Sequence, residues 1–155
     1  MLKCLALALV ALSVVNTAQA CTAPPDLPRI QADLIRDINI ERRAKGLSAL
    51  TASPALTKAA QRLACDNAAR RVVGHIGKNG STLKSRLIAS GYNFSTAAEN
   101  AAGGYGDPAS VTAGWMHSPE HRRNILTAPL RDIGVGVAKG QDGLLYWIID
   151  LGAAR

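Results

Sequence analysis

Aromatic side chains are scarce in this 155-residue chain: one phenylalanine, two tryptophans and three tyrosines. The arginine pairs Arg42-Arg43, Arg70-Arg71 and Arg122-Arg123 lie in three separate segments with no interleaved rings. A nucleic-acid surface needs clustered cations and stacking aromatics together, so no nucleic-acid partner is expected. The net charge of +7 is read instead as a mostly solvated face, compatible with anionic cell-envelope polymers or lipid headgroups. Cysteine is limited to three residues without a Cys-x-x-Cys pair, which leaves no redox motif. Past the first twenty residues no apolar stretch is long enough to span a bilayer, so no transmembrane anchor is expected in the mature chain. There is no internal repeat and no low-complexity segment.

The one long apolar run is at the start. Lys3 supplies a positive beginning, Leu5 to Val15 a run too short for a stable membrane span, and Ala18-Gln19-Ala20 a small-residue cleavage signal. Residues 1–20 are therefore read as a secretory signal peptide, which makes the protein secreted or periplasmic. The competing reading is a bacterial lipoprotein signal that acylates Cys21; against it, Ala18 stands where such signals prefer a large aliphatic residue. Removal of the leader takes Cys4 with it and leaves Cys21 and Cys65. In an oxidising compartment the simplest state of such a pair is a disulfide; two free thiols are the alternative. A bridge closing that loop is worth about 3–4 kcal/mol on the chain-entropy account. The remaining residues, 21–155, suit one domain with its own core, expected to be monomeric.

Helix starts are the clearest local signals. Ser53-Pro54, Asp107-Pro108 and Ser118-Pro119 each place a capping oxygen before a proline whose missing N–H costs nothing at the first helical position. Pro28 opens an earlier helix with an apolar stripe at Ile30, Leu34, Ile35 and Ile38, ended by Lys45-Gly46. A further short helix spans Leu83 to Ala89, with Ser81 as its expected cap and Gly91 as its stop. Ile133 to Val137 and Leu144 to Ile149 read as strands joined by a turn at Gly140-Gln141-Asp142-Gly143, and Phe94 to Ala102 as a third strand. Helices first and strands last predict an α+β fold with helices stacked on a small antiparallel sheet.

Histidine and glutamate are rare too, and their placement is informative. All three histidines and two of the three glutamates fall at His75, Glu99 and the stretch Trp115-Met116-His117-Ser118-Pro119-Glu120-His121. Imidazoles and carboxylates gathered in this way predict a polar site rather than scattered surface charge.

The order of short motifs closely resembles the CAP superfamily of cysteine-rich secretory, antigen 5 and pathogenesis-related proteins, in its compact bacterial form. The matching pieces include Gly74-His75, Gly80-Ser81-Thr82-Leu83, Arg86, Gly91-Tyr92, Glu99-Asn100-Ala101, Trp115, Ser118-Pro119, His121-Arg122, Asn124-Ile125-Leu126, Ile133-Gly134-Val135-Gly136 and Tyr146-Trp147. They run from about Leu34 to Gly152. The resemblance implies a single CAP (SCP-like) domain over residues 21–155, a three-layer α-β-α sandwich, and a cleft that in some members holds a divalent cation. Carried over residue by residue, it gives His75, Glu99 and His121 as the metal-site candidates. Two neutral imidazoles and a carboxylate with an open position suit zinc or a similar ion. His121 near a helix N-terminus is disfavoured as imidazolium. The alternative is that the histidines and Glu99 only tie helices to the sheet. One departure stands out: where the eukaryotic branch carries a second glutamate, three residues after the tryptophan, this chain has Ser118. Asn100, Trp115, Ser118 and Asn124 are read as structural support.

Three motif coincidences are set aside. His117 to His121 spells His-x-x-Glu-His, but Pro119 prevents the continuous helix that a zinc peptidase needs. Ser81-Thr82-Leu83-Lys84 lacks the companion motifs of penicillin-interacting enzymes. Gly134-Val135-Gly136 lies inside a strand pattern and cradles no phosphate. The resulting expectation is an exported protein whose His/Glu cleft binds a divalent metal, a lipid or an envelope component. Its rival is a metal-dependent hydrolase in which Glu99 or Glu120 activates a water.

Overall fold

The computed structural model describes residues 21–155; the expected signal peptide, residues 1–20, lies outside the described residues. In chain order the elements are α1 (Leu27–Ala44), β1 (Thr51–Ala52), α2 (Pro54–Arg70), α3 (Leu83–Ala89), β2 (Phe94–Gly103), α4 (Pro108–His117), α5 (Pro119–Ile125), β3 (Asp132–Lys139) and β4 (Leu145–Ala154). The sheet order is β1-β3-β4-β2. Among the described residues, no helix is long and apolar enough to cross a membrane.

The fold is the expected α-β-α sandwich, and strand alternation divides its two cores. Trp147, Ile149 and Leu151 of β4 pack with Ile133, Val135 and Val137 of β3 against Leu34 and Ile38 of α1, Val111 and Trp115 of α4, and Ile125 of α5. On the opposite face, Tyr146 and Ile148 meet Ala60, Leu63, Ala64 and Ala68 of α2, while Leu56 and Ala59 of α2 meet Leu87 and Tyr92. Each fully buried Ile, Leu or Val contributes about 1.5–3 kcal/mol. Helix α2 lies almost on the strand backbone, because Gly134 and Gly136 leave no side chain between them: a methyl added to either would overlap the main chain at Leu56–Thr57 or Ala60–Gln61. The Gln61 amide locks this contact by donating to the Val137 carbonyl at 2.9 Å and accepting from the Val137 N–H at 3.0 Å.

Two local expectations are corrected. The sheet is not wholly antiparallel, since β1 pairs with β3 in parallel over Thr51–Asp132 and Ala52–Ile133. A two-residue strand has no periodicity to detect, and it forms because the Thr51 and Ser53 N–H groups find the Arg131 and Ile133 carbonyls, each at 2.8 Å. The cap of α3 is Thr82, not Ser81. Ser85, three residues after Thr82, completes a reciprocal capping box with it, an advantage that Ser81 cannot match. The other proline-marked starts hold their places, with Asp107 and Ser53 accepting from Ser110 and Leu56 N–H; Ser118 occupies the cap position of α5 without a side-chain hydrogen bond.

Cys21 and Cys65 are bridged, their Cα atoms 5.2 Å apart. The bridge ties the N-terminal segment to α2, and the Lys139 N–H donates to the Thr22 carbonyl at 2.8 Å to hold that segment against the end of β3. With its sulfur in the bridge, Cys21 has none left for a thioether-linked lipid.

Candidate functional site

Glu99 and Asn100 are adjacent in β2, so their side chains leave opposite faces of the sheet. Each organises one side. On the α2–α3 face Glu99 is buried and both its oxygens are engaged. Oε1 faces His75 Nδ1 at 2.8 Å, and Oε2 accepts from Arg86 Nη2 at 2.5 Å. The same guanidinium donates from Nη1 to the carbonyls of His75 at 3.1 Å and Ser81 at 2.8 Å. Arg86 thus fixes at once the carboxylate and the loop that presents the imidazole. A turn at Gly80 makes this loop possible: Gly80 adopts a φ of +77°, and its N–H closes on the Gly77 carbonyl.

On the other face Asn100 fastens α5. Its amide donates to the His121 carbonyl at 3.0 Å and accepts from Asn124 Nδ2 at 2.8 Å, and Asn124 also reaches the Glu99 carbonyl. The last contact satisfies an outward-facing backbone group of an edge strand, which would otherwise be open to pairing. Arg42 of α1 grips the far end of α5 by donating to the Ile125, Thr127 and Leu130 carbonyls, and ties in the loop after α1 through the Ser48 carbonyl. Its charge sits at the negative end of the helix dipole. Arg42 is therefore fully buried and not part of the solvated basic face expected from the sequence. Trp115 is buried in the core behind β2, its indole N–H directed at the Ala101 carbonyl.

His75 and His121 stand close enough for the charge of one to act on the other. His75 sits above its ordinary pKa because Glu99 bonds it, an effect that outweighs burial. His121 is held below the usual value, first by burial and then by the nearby charge of His75. The cleft therefore pairs a well-oriented imidazole, backed by a carboxylate, with one that prefers to be neutral. Among the described residues, no group of three His, Cys, Asp or Glu side chains is placed to hold a metal ion together. His117 ends α4, is exposed, and bonds the Ala113 carbonyl, while His121 belongs to α5 beyond the Ser118 break. Glu120 is exposed in the first turn of α5.

One member of the site escaped the sequence reading. Asp150 of β4 stands directly opposite Glu99 in the strand pairing, is completely buried, and finds no donor for either oxygen. Burial, reinforced by the facing Glu99 charge, pushes its carboxyl well above the ordinary range. As a neutral acid it can give its O–H to Glu99, which turns a like-charge clash into a hydrogen bond. The available signal was a lone carboxylate inside the apolar run Tyr146 to Leu151, a position that a strand buried on both faces cannot leave charged without cost.

Comparison with known proteins agrees with this architecture. A family model described as "Cysteine-rich secretory protein family" (CAP) matches residues 35–151. The curated protein YkwD of Bacillus subtilis is 29% identical over 121 residues, covering 78% of this chain and 47% of its own length. The chain thus spans about half the length of that relative. Among solved structures, an outer surface protein of Borrelia burgdorferi has a TM-score of 0.72 at 23% identity, over 79% of this chain and 90% of that one. An extracellular protein of Bacillus anthracis that contains an SCP domain gives 0.70 at 24%, over 86% and 45%. At such identities these likenesses speak for the fold.

Proposed function

Because the chain belongs to the cysteine-rich secretory protein (CAP) family, we propose that it is exported and acts as a binding module, taking a divalent cation such as zinc between His75 and His121. The observation that carries this reading is the engagement of Glu99. With Nδ1 facing that carboxylate, His75 has only Nε2 to offer outward, and a carboxylate behind an imidazole is the arrangement that orients and strengthens a metal-binding histidine. His121, disfavoured as imidazolium, supplies the second neutral nitrogen. Glu99 belongs to the set as the partner of His75, since its other oxygen is taken by Arg86. A cation held by two imidazoles keeps positions for water or for oxygen donors of a cell-envelope component, lipid or polymer.

The same engagement weighs against a metal-dependent hydrolase. Glu99 has no oxygen free to activate a water, and Glu120 stands exposed in the first turn of α5.

Titration of the metal-stripped protein with zinc at neutral pH, by calorimetry, tests the proposal. About one ion per chain is expected, with binding abolished by His75→Ala and by His121→Ala. Absence of heat in protein shown to be folded by circular dichroism would refute it. A chelator-sensitive hydrolytic activity would reinstate the rival reading.

A further inference from the structure

The Cys21–Cys65 bridge stands in the wall of a cavity rather than inside a core. Both cysteines line a hollow of about 260 Å³ together with Thr22, Asp66, Lys78 and Lys139, a size that suits a small molecule rather than a protein segment. Cys21 is exposed, and Cys65 is half-buried on α2. The Gln61 side-chain amide lies against both sulfurs: its Nε2 is 3.5 Å from Cys65 Sγ and 3.8 Å from Cys21 Sγ while it also holds the Val137 carbonyl. A staple needs no access from solvent, and this one has it on the Cys21 side.

The cavity is cationic. Lys78 and Lys139 are both exposed, and Arg62 joins Lys78 in the hollow beside it. The carboxylate of this wall, Asp66, is engaged by the loop, its Oδ2 accepting from the Lys78 N–H at 2.9 Å. Three cations against one carboxylate favour an anion. The bridge is the group in this wall with which such an anion can react: thiolates attack disulfides, and cations beside sulfur stabilise both the attacking thiolate and the one expelled. Size, charge and reactive wall together select a small thiol that carries carboxylates.

We propose that this cavity admits a small anionic thiol, which exchanges with the bridge and leaves Cys21 as a mixed disulfide. The incoming thiolate attacks Cys21 Sγ, the accessible sulfur. The Cys21–Cys65 bond breaks as the new S–S bond forms, and its electron pair departs on Cys65 Sγ, which takes a proton from water. No outside oxidant is needed, and the Cys65 thiolate can reverse the step. The chain is the target of exchange and not an oxidoreductase, in keeping with its lack of a Cys-x-x-Cys pair. With the bridge open, the Lys139 N–H on the Thr22 carbonyl still holds the N-terminal segment to β3. The site shares no residue with the cation proposed between His75 and His121.

Reaction with reduced glutathione and, in parallel, with cationic cysteamine tests the proposal. The protein is expressed from the full 155-residue sequence with export to an oxidising compartment, and is shown by mass to carry the bridge and by circular dichroism to be folded. Acid quenching, alkylation and peptide mass mapping then give the rate and the modified sulfur. Glutathione should react faster per thiolate than cysteamine, the advantage should shrink at high salt, and the adduct should lie on Cys21 with Cys65 alkylated. A charge pair in contact in water is worth roughly fivefold, so Lys78→Gln and Lys139→Gln should each slow glutathione by about fivefold and together by about 25-fold, with cysteamine no slower. Both side chains are exposed, so these variants should unfold with the wild type. Failure to react until urea unfolds the chain, an adduct on Cys65, equal rates for the two thiols, or a preference for glutathione that survives the lysine substitutions would each overturn the proposal.

Discussion

Replacement of Arg86 by leucine isolates the interaction on which the cleft is built. The Arg86 and Glu99 side chains are 1% and 3% exposed, so the pair is screened hardly at all by solvent. Removing one partner of a buried ion pair strands the other and costs about 3–5 kcal/mol. The variant also deprives the His75 and Ser81 carbonyls of their donor, about 1 kcal/mol each. These contributions share one side chain and overlap, so the expected loss is about 4–5 kcal/mol, comparable with the whole stability of a marginal domain. Arg86→Lys keeps the charge but loses the planar fork that serves three acceptors; it should lose roughly half as much. Urea unfolding at pH 7, followed by tryptophan fluorescence, measures both. The histidine ring adds a local readout: the Arg86 charge works against protonation of His75, so the His75 titration followed by NMR should rise further in Arg86→Leu, where Glu99 keeps His75 as its partner, and stay near the wild-type value in Arg86→Lys. An Arg86→Leu protein within about 1 kcal/mol of the wild type, with His75 unmoved, would show that Arg86 does not organise the site.

Asp150→Asn should flatten the pH dependence of stability. A carboxyl raised in the folded state binds its proton where the unfolded chain, with an Asp value of about 3.9, has released it. Its contribution is therefore complete below about pH 4 and is lost as pH rises through the folded value. The amide is neutral throughout, so the variant should gain on the wild type between pH 4 and 8 in urea titrations; parallel curves would refute a buried neutral acid. Gly136→Ala should cost about 1–3 kcal/mol by overpacking, because its methyl meets the Ala60 main chain. Gly74→Ala, with open space around the added methyl, should stay within a few tenths of the wild type or gain slightly. Thermal unfolding of the two side by side decides whether α2 is held at the distance described.

Much of this protein was legible locally. Asp107 and Ser53, each before a proline, start helices because a capping oxygen and a fixed φ act within one turn. Gly46, Gly80, Gly91 and Gly143 end or reverse segments because each takes a positive φ that other residues resist. The alternation in β4 likewise divides Trp147, Ile149 and Leu151 from Tyr146 and Ile148 whatever lies above them. Once export is assumed, the pairing of two cysteines follows from their number. What the sequence could not carry was the company each polar side chain keeps. Glu99 meets Arg86 and Asp150 only because β2 registers against β4 while α3 settles above both; that register is fixed by the whole sheet, not by neighbours in the chain. Arg42 reads as one more surface cation until folding brings to it the carbonyls of Ile125 at the end of α5, of Thr127 and Leu130 just beyond it, and of Ser48 in the loop after α1. Sequence by itself determined the longer elements and the proline-marked helix starts, because those energies are local; only the tertiary structure decided the cleft, because burial and charge pairing depend on groups that are distant in sequence and become neighbours on folding.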